Sequence, residues 1–128
     1  MEQPVKSQFN EQIRERTLKM SVEVHKLFVN KQVSAITRPI VNQIIRSSSS
    51  VAANYRAATR SRSDPEFLSK ICIVVEECDE TQFWLEYLTR IDLIGPSEIS
   101  TLKSEVDELI RLFATIKKKM RDKLQTQA

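Results

Sequence analysis

Ile99, Leu102, Val106, Leu109, Ile110, Phe113, Ile116, Met120 and Leu124 return at intervals of three and four residues. That period gathers them on one side of an α-helix and would scatter them over both faces of a strand. Three earlier segments carry the same signal. Residues 7–30 put Phe9, Ile13, Met20, Val24, Leu27 and Phe28 on one face. Residues 38–61 do so with Ile40, Val41, Ile44, Ile45, Val51, Ala52, Tyr55 and Ala58, and residues 64–93 with Phe67, Leu68, Ile71, Val74, Val75, Cys78 and Leu85. The fourth helix is expected over 97–124.

The breaks between these segments are written in helix-ending chemistry. Pro39 suits a first helical turn, where its missing N–H has no partner to lose. In Ser63-Asp64-Pro65-Glu66, Ser63 or Asp64 can cap free amides and Glu66 favours the positive helix end. Gly95, the chain's one glycine, is placed to act as a left-handed helix terminator, with Pro96-Ser97-Glu98 opening the last helix. Connections this short make consecutive helices antiparallel neighbours. The expectation is an all-α protein, an up-down four-helix bundle with residues 1–128 as a single domain.

Two helices are more apolar than a solitary bundle needs. Leu18, Val22 and Val29 form a second stripe on the first helix, and Ile73, Trp84, Tyr87 and Ile91 lie off the core sector of the third. Outward apolar lines of this kind mark a contact surface between copies, unless a broad core or a folded-over connection covers them.

Charge is segregated by helix although the net charge is only +3. No acidic residue stands between Glu23 and Asp64, whereas Asp64, Glu66, Glu76, Glu77, Asp79, Glu80, Glu86 and Asp92 crowd the third helix. On the second helix Arg38, Arg46, Arg56 and Arg60 fall within a sector of about 80°. Arg62 follows them, and Lys117, Lys118, Lys119 and Arg121 cluster near the C-terminus. Guanidinium groups on a rigid helix suit phosphates, so RNA or DNA is one expected partner. The other reading neutralises the arginines against the acidic helix, within one subunit or across to the next, and leaves the terminal lysines simply solvated beside a helix C-terminus.

Catalytic and metal chemistry finds little footing. His25 is the single histidine, and neither a CxxC nor an HExxH spacing occurs. Cys72 and Cys78 stand about 120° apart on one helix, which disfavours an intrachain bridge, and their apolar and acidic surroundings disfavour a thiolate. The acidic run Glu76-Glu77-Cys78-Asp79-Glu80 lacks the Glu-x-x-His pairs of di-iron bundles. No enzymatic site, cofactor or metal is expected. The charged N-terminus does not read as a signal peptide and no apolar run approaches the roughly 20 residues of a membrane span, so a cytoplasmic location is expected, without membrane contact.

The stretch Val41-Asn42-Gln43-Ile44-Ile45-Arg46-Ser47, with Ser50-Val51-Ala52-Ala53-Asn54-Tyr55-Arg56-Ala57-Ala58, resembles the bacterial four-helix bundle proteins. Phe67-Leu68-Ser69-Lys70, Glu76-Glu77, Glu80-Thr81 and Phe83-Trp84-Leu85-Glu86 extend the likeness. That group includes the protein encoded in intervening sequences of large-subunit ribosomal RNA genes, and the chain is also similar to the accessory variability proteins of diversity-generating retroelements. The resemblance implies a closed homo-oligomer, typically a pentamer, without catalytic activity. It also implies basic surface turned to nucleic acid, and a reverse transcriptase or other nucleic-acid enzyme as protein partner. Arg46, Asn54, Tyr55, Arg56, Glu80 and Trp84 match the family motif by position, and the resemblance gives most of them roles in packing and assembly. Ala52 and Ala57 depart from the family's usual glycine and glutamate.

Overall fold

All four periodic segments are helical. The computed structural model describes residues 4–127, with side chains from Ser7 onward. Its elements are α1 (Pro4–Phe28), α2 (Arg38–Ala58), α3 (Asp64–Arg90) and α4 (Ser100–Gln127), and no strand occurs among the described residues. Boundaries differ from the sequence reading by about three residues at several ends, mostly because the final turns loosen into hydrogen-bonded turns rather than continue as helix.

Adjacent helices pack in a closed cycle, α1 on α2, α2 on α3, α3 on α4 and α4 back on α1, and the backbones of diagonal helices do not approach one another closely. Pairs across each seam run in opposite directions. Asn10 near the start of α1 meets Tyr55 near the close of α2, and Asp64 at the head of α3 meets Lys123 near the end of α4. Across the α1–α4 seam, Arg16 meets Glu105 while Lys31, farther along, meets Glu98, and across the α2–α3 seam the short turn at residues 59–63 returns the chain so that mid-helix Arg46 meets Glu77 and Glu80. The bundle therefore has two unlike ends. One gathers the start of α1, the α2–α3 turn and the close of α4. The other gathers the α1–α2 and α3–α4 connections.

The apolar stripes meet in one core. Met20 and Val24 of α1, Ile44, Val51 and Tyr55 of α2, Ile71, Val74 and Leu85 of α3, and Val106, Leu109 and Phe113 of α4 are all buried. Phe9 is a correction: expected in the stripe, it lies one helical turn beyond the packed layer and is 40% exposed. Tyr55 lies where the stripe of the second helix puts it, in the core, and not in the assembly role that the resemblance implies. It is 1% exposed and its ring centroid lies 5.4 Å from that of Phe113, so it serves its own subunit's core and offers no side chain to a neighbour.

The α2–α3 seam, the most extensive of the four, contains hydroxyls that periodicity does not reveal. Ser47 Oγ and Thr81 Oγ1 share a hydrogen bond of 2.9 Å, and each also donates back to its own helix or accepts from its partner, so both polar groups are satisfied inside the core. Small side chains here let the two helices approach closely.

The α3–α4 connection overturns the role expected of Gly95. The left-handed residue is Asp92, at φ 63°, and no glycine has positive φ. Asp92 N–H donates to Thr89 O at 3.0 Å and Leu93 N–H to Leu88 O at 3.1 Å, the paired bonds of a Schellman C-cap. Aspartate tolerates this conformation better than most residues because its short polar side chain can hydrogen-bond locally. Gly95 has open space where a Cβ would stand. Gly95→Ala is accordingly expected to raise stability by about 0.4–1 kcal/mol in urea unfolding, by restricting the unfolded chain. Asp92→Val should lower it by about 1–2 kcal/mol. A terminator at Gly95 would reverse the sign of the first result.

At the α2–α3 turn the capping reading holds for Ser63, whose Oγ accepts from Glu66 N–H at 3.2 Å. Glu66 in turn accepts from Arg62 N–H at 2.8 Å. This turn and the last turns of α4 are joined by the Lys123–Asp64 pair at 3.0 Å.

Candidate nucleic-acid interface

The arginines of α2 share a sector of the helix, but about 33 Å of helix separates the first from the last, and the bundle gives them different surroundings. Arg38 stands at the connection end and donates to Val33 O at 3.1 Å. Arg46 is held mid-helix by the acidic face of α3, with Glu77 at 3.1 Å and Glu80 at 2.6 Å. Those hydrogen bonds keep the guanidinium above its ordinary value, and the Arg46 bond, helped by the Trp84 indole, holds the Glu80 carboxyl below the usual carboxylate range. Neutralisation within one subunit, one of the readings open in the sequence, is thus the fate of Arg46. The single arginine line is not a single surface.

Arg56, Arg60 and Arg62 behave differently. They are exposed at the close of α2 and in the turn that follows, and no carboxylate lies within ion-pair distance of any of them among the described residues. Arg56 also borders a groove between α1 and α2 that contains Glu11, Arg14, Glu15 and Leu18, with Ser49, Ala52 and Ala53 as its floor. Because α4 runs antiparallel to α3, its C-terminal cations arrive at this same end. Met120 shares a pocket with Arg62, Ser63 and Asp64. Lys118 is paired with Asp122 at 2.9 Å, while Lys117, Lys119 and Arg121 have no acidic partner among the described residues. Two basic segments about 60 residues apart in sequence thereby form one basic end.

The outward apolar groups occupy other faces. On α3 Phe83 is 53% exposed, and it packs with half-buried Trp84 and with Tyr87 at ring-centroid distances of 4.8 and 6.1 Å. Ile91 continues this ridge toward the connection end, and Ile73 is half-buried at the other end of the helix. Glu76, Asp79 and Glu86 are exposed on the same helix. Phe83 was not among the contact residues expected from sequence, although its spacing from Trp84 and Tyr87 places all three on adjoining sectors. Leu18 and Val22 are exposed on α1, and Val29 just past its end, as the periodicity indicates. Asn54 is half-buried and spends its amide on Ser50 of its own helix.

A strong link missed in the sequence reading joins α1 to α4. Arg16 donates to both carboxylate oxygens of Glu105, at 2.7 and 2.9 Å, and to Glu108 at 2.8 Å. The clamp spans the seam where the helices touch least. Its signal was one arginine separated by more than 85 positions from two glutamates, legible only once the fold brings them together.

Nucleophilic chemistry has no support at the cysteines. Cys72 and Cys78 are free, and burial together with nearby acids pushes the Cys78 thiol up to about 12, which keeps it protonated at neutral pH. No group of three or more His, Cys, Asp or Glu could hold a metal ion among the described residues, and no helix there is long and apolar enough to cross a membrane.

Fold and surface together define an all-α four-helix bundle with one strongly basic end and an acidic, aromatic flank. Residues 10–115 match the model of the 23S rRNA-intervening sequence protein family, and the chain belongs to that family. Its fold is similar to the crystal structure of a protein of unknown function from the S23 ribosomal protein family of Bacteroides thetaiotaomicron. The two are 29% identical, with a TM-score of 0.74 over 83% of this chain and 98% of the other. No curated protein matches the chain.

Proposed function

We propose that this member of the family is a non-enzymatic, self-associating bundle that presents its basic end to RNA or DNA. The observation that carries the reading is the convergence of Arg56, Arg60 and Arg62 with Lys117, Lys119 and Arg121, all without acidic partners among the described residues, on one end of a rigid frame. Phosphate binding of this kind releases counterions and multiplies with each copy in an assembly. Arg38 and Arg46 fall outside the contact set, the first by position and the second because its charge is already matched. The ridge on α3 and the α1–α2 face supply the surfaces for self-association into a ring, for which the family resemblance suggests a pentamer. A nucleic-acid enzyme, such as a reverse transcriptase, is the class of protein partner suggested by that resemblance.

Arg60 and Arg62 provide the cleaner test, because Arg56 also borders the α1–α2 groove. Wild-type protein titrated into fluorescently labelled RNA should bind with an affinity that falls steeply as salt is raised. Arg60→Glu with Arg62→Glu should weaken binding at least about tenfold while the mass by light scattering stays unchanged. Unchanged binding would sink the reading. Loss of the assembled mass in the variant would instead favour a scaffold whose basic residues serve subunit contact.

A further inference from the structure

A pocket of about 320 Å³ opens at the basic end, and all four helices help to line it. Half-buried Phe67 and Met120 give it apolar wall, while Asn10, Ser61, Asp64 and exposed Arg62 make the rest polar. Hydrogen bonding within the subunit leaves part of that polar set unused. Asn10 Oδ1 accepts from Tyr55 OH at 3.3 Å, and the amide N–H groups have no acceptor among the described residues. Asp64 Oδ2 meets Lys123 at 3.0 Å, and its other carboxylate oxygen has no donor among the described residues. Ser61 Oγ is shielded from solvent yet has no hydrogen-bond partner, the one buried side-chain N or O so placed among the described residues. Buried polar groups are nearly always paired, so an orphan here points to a group that comes from outside the chain. With no hydrogen bond to break, the Ser61 side chain can turn between staggered positions to meet it.

Asp64 decides what can enter. A carboxylate in the pocket repels phosphate, so the phosphates of a bound strand belong at the rim, on Arg60 and Arg62, and the group inside is uncharged. Uncharged, flat-faced and edged with hydrogen-bonding groups describes a nucleobase, whose face can lie on Phe67 and Met120 while its edge meets Asn10, Ser61 and Asp64. The base must be unpaired, since pairing occupies that edge. A carboxylate accepts and does not donate. It therefore suits a base with an exocyclic amino group, as in cytosine and adenine, and disfavours uracil, whose edge sets two carbonyl oxygens around a single N–H.

Resting on the nucleic-acid reading above, we infer that this pocket receives one unpaired base of a single strand, a base that carries an exocyclic amino group, while Arg60 and Arg62 hold the flanking phosphates. The test titrates the full-length protein into labelled oligo(A), oligo(C) and oligo(U) RNA of about 12 nucleotides each, by anisotropy at one salt concentration and neutral pH. The three strands carry equal numbers of phosphates, so counterion release cancels in the comparison and the bases make the difference. Wild type should prefer oligo(A) and oligo(C) over oligo(U) at least about tenfold. Asp64→Asn, which keeps the shape and loses the carboxylate, should bring oligo(U) to within about threefold of the others. Ser61→Ala should weaken oligo(A) and oligo(C) binding about three- to tenfold with an unchanged salt slope. Since it removes an unpartnered hydroxyl, it should cost the free protein no stability in urea unfolding. Circular dichroism checks that each variant is folded. Equal affinity of wild type for the three strands, a preference that survives Asp64→Asn, or binding indifferent to Ser61→Ala overturns the base pocket and leaves nucleic-acid binding in place. Absence of binding to any strand overturns both readings together.

Discussion

Phe113→Ala is expected to cost about 3–5 kcal/mol of folding stability, the range for removing a large aromatic from a packed core. Phe113 is fully buried on α4 and tilts against the Tyr55 ring of α2, so it fills space between diagonal helices whose backbones do not approach one another closely. Neither backbone can collapse into the void, because α1 and α3 stand between them, and the cavity term adds to the lost transfer free energy. Since domains of this size are stable by only about 5–15 kcal/mol, the variant should lose a large part of its margin, visible as a much lower urea midpoint at an unchanged slope. Tyr55→Phe is the contrasting substitution. It keeps the ring and removes one hydrogen bond to Asn10, long at 3.3 Å, so its cost should stay below about 1 kcal/mol. A Phe113→Ala loss below about 1.5 kcal/mol would mean that the core is repacked around a different centre.

The order and type of every helix were legible because each carries its own apolar period, and period is a local property. What depended on contact between helices was not. The stripe test put Tyr55 in the core, where it is, but could not say how far along the axis the packed layer extends, which is why Phe9 emerged exposed. The arginine sector of α2 was real in angle. Yet Arg46 meets Glu77 and Glu80, more than 30 positions away, and Arg38 stands at the opposite end from Arg60, because axial distance matters as much as azimuth. Gly95 was the only glycine and so the natural terminator, but backbone geometry required the left-handed residue three positions earlier, where aspartate was able to serve. The convergence of Arg62 with the C-terminal lysines followed from topology alone: an antiparallel α4 must return to the α2–α3 turn.

Under the self-association proposed above, Phe83→Glu combined with Tyr87→Glu should leave the protein monomeric. Phe83, Trp84 and Tyr87 form a mutually packed ridge, so they are held in place before any partner arrives and lose little side-chain entropy on docking. The proposed counterpart on another copy is the α1–α2 groove, where Leu18 offers apolar contact and Ser49, Ala52 and Ala53 carry only small side chains. Charge in the groove is mixed, since Arg14 pairs with Glu11 at 3.3 Å and Glu15 also lines it, which leaves Arg56 as the cation there able to face Glu76, Asp79 or Glu86 of the ridge side. A contact between unlike faces repeats from copy to copy and closes into a ring when the rotation allows. Aromatic anchors in such interfaces are worth about 2–4 kcal/mol each, and a buried unpaired carboxylate adds its desolvation cost, so the double variant should weaken association more than about 100-fold. Both positions are exposed in the single subunit, and helical content should therefore remain as in wild type. Light scattering after size-exclusion chromatography reads the outcome directly: a monomer mass from a fully helical variant supports the ridge as the joint between subunits, and an unchanged oligomer mass removes it from that role.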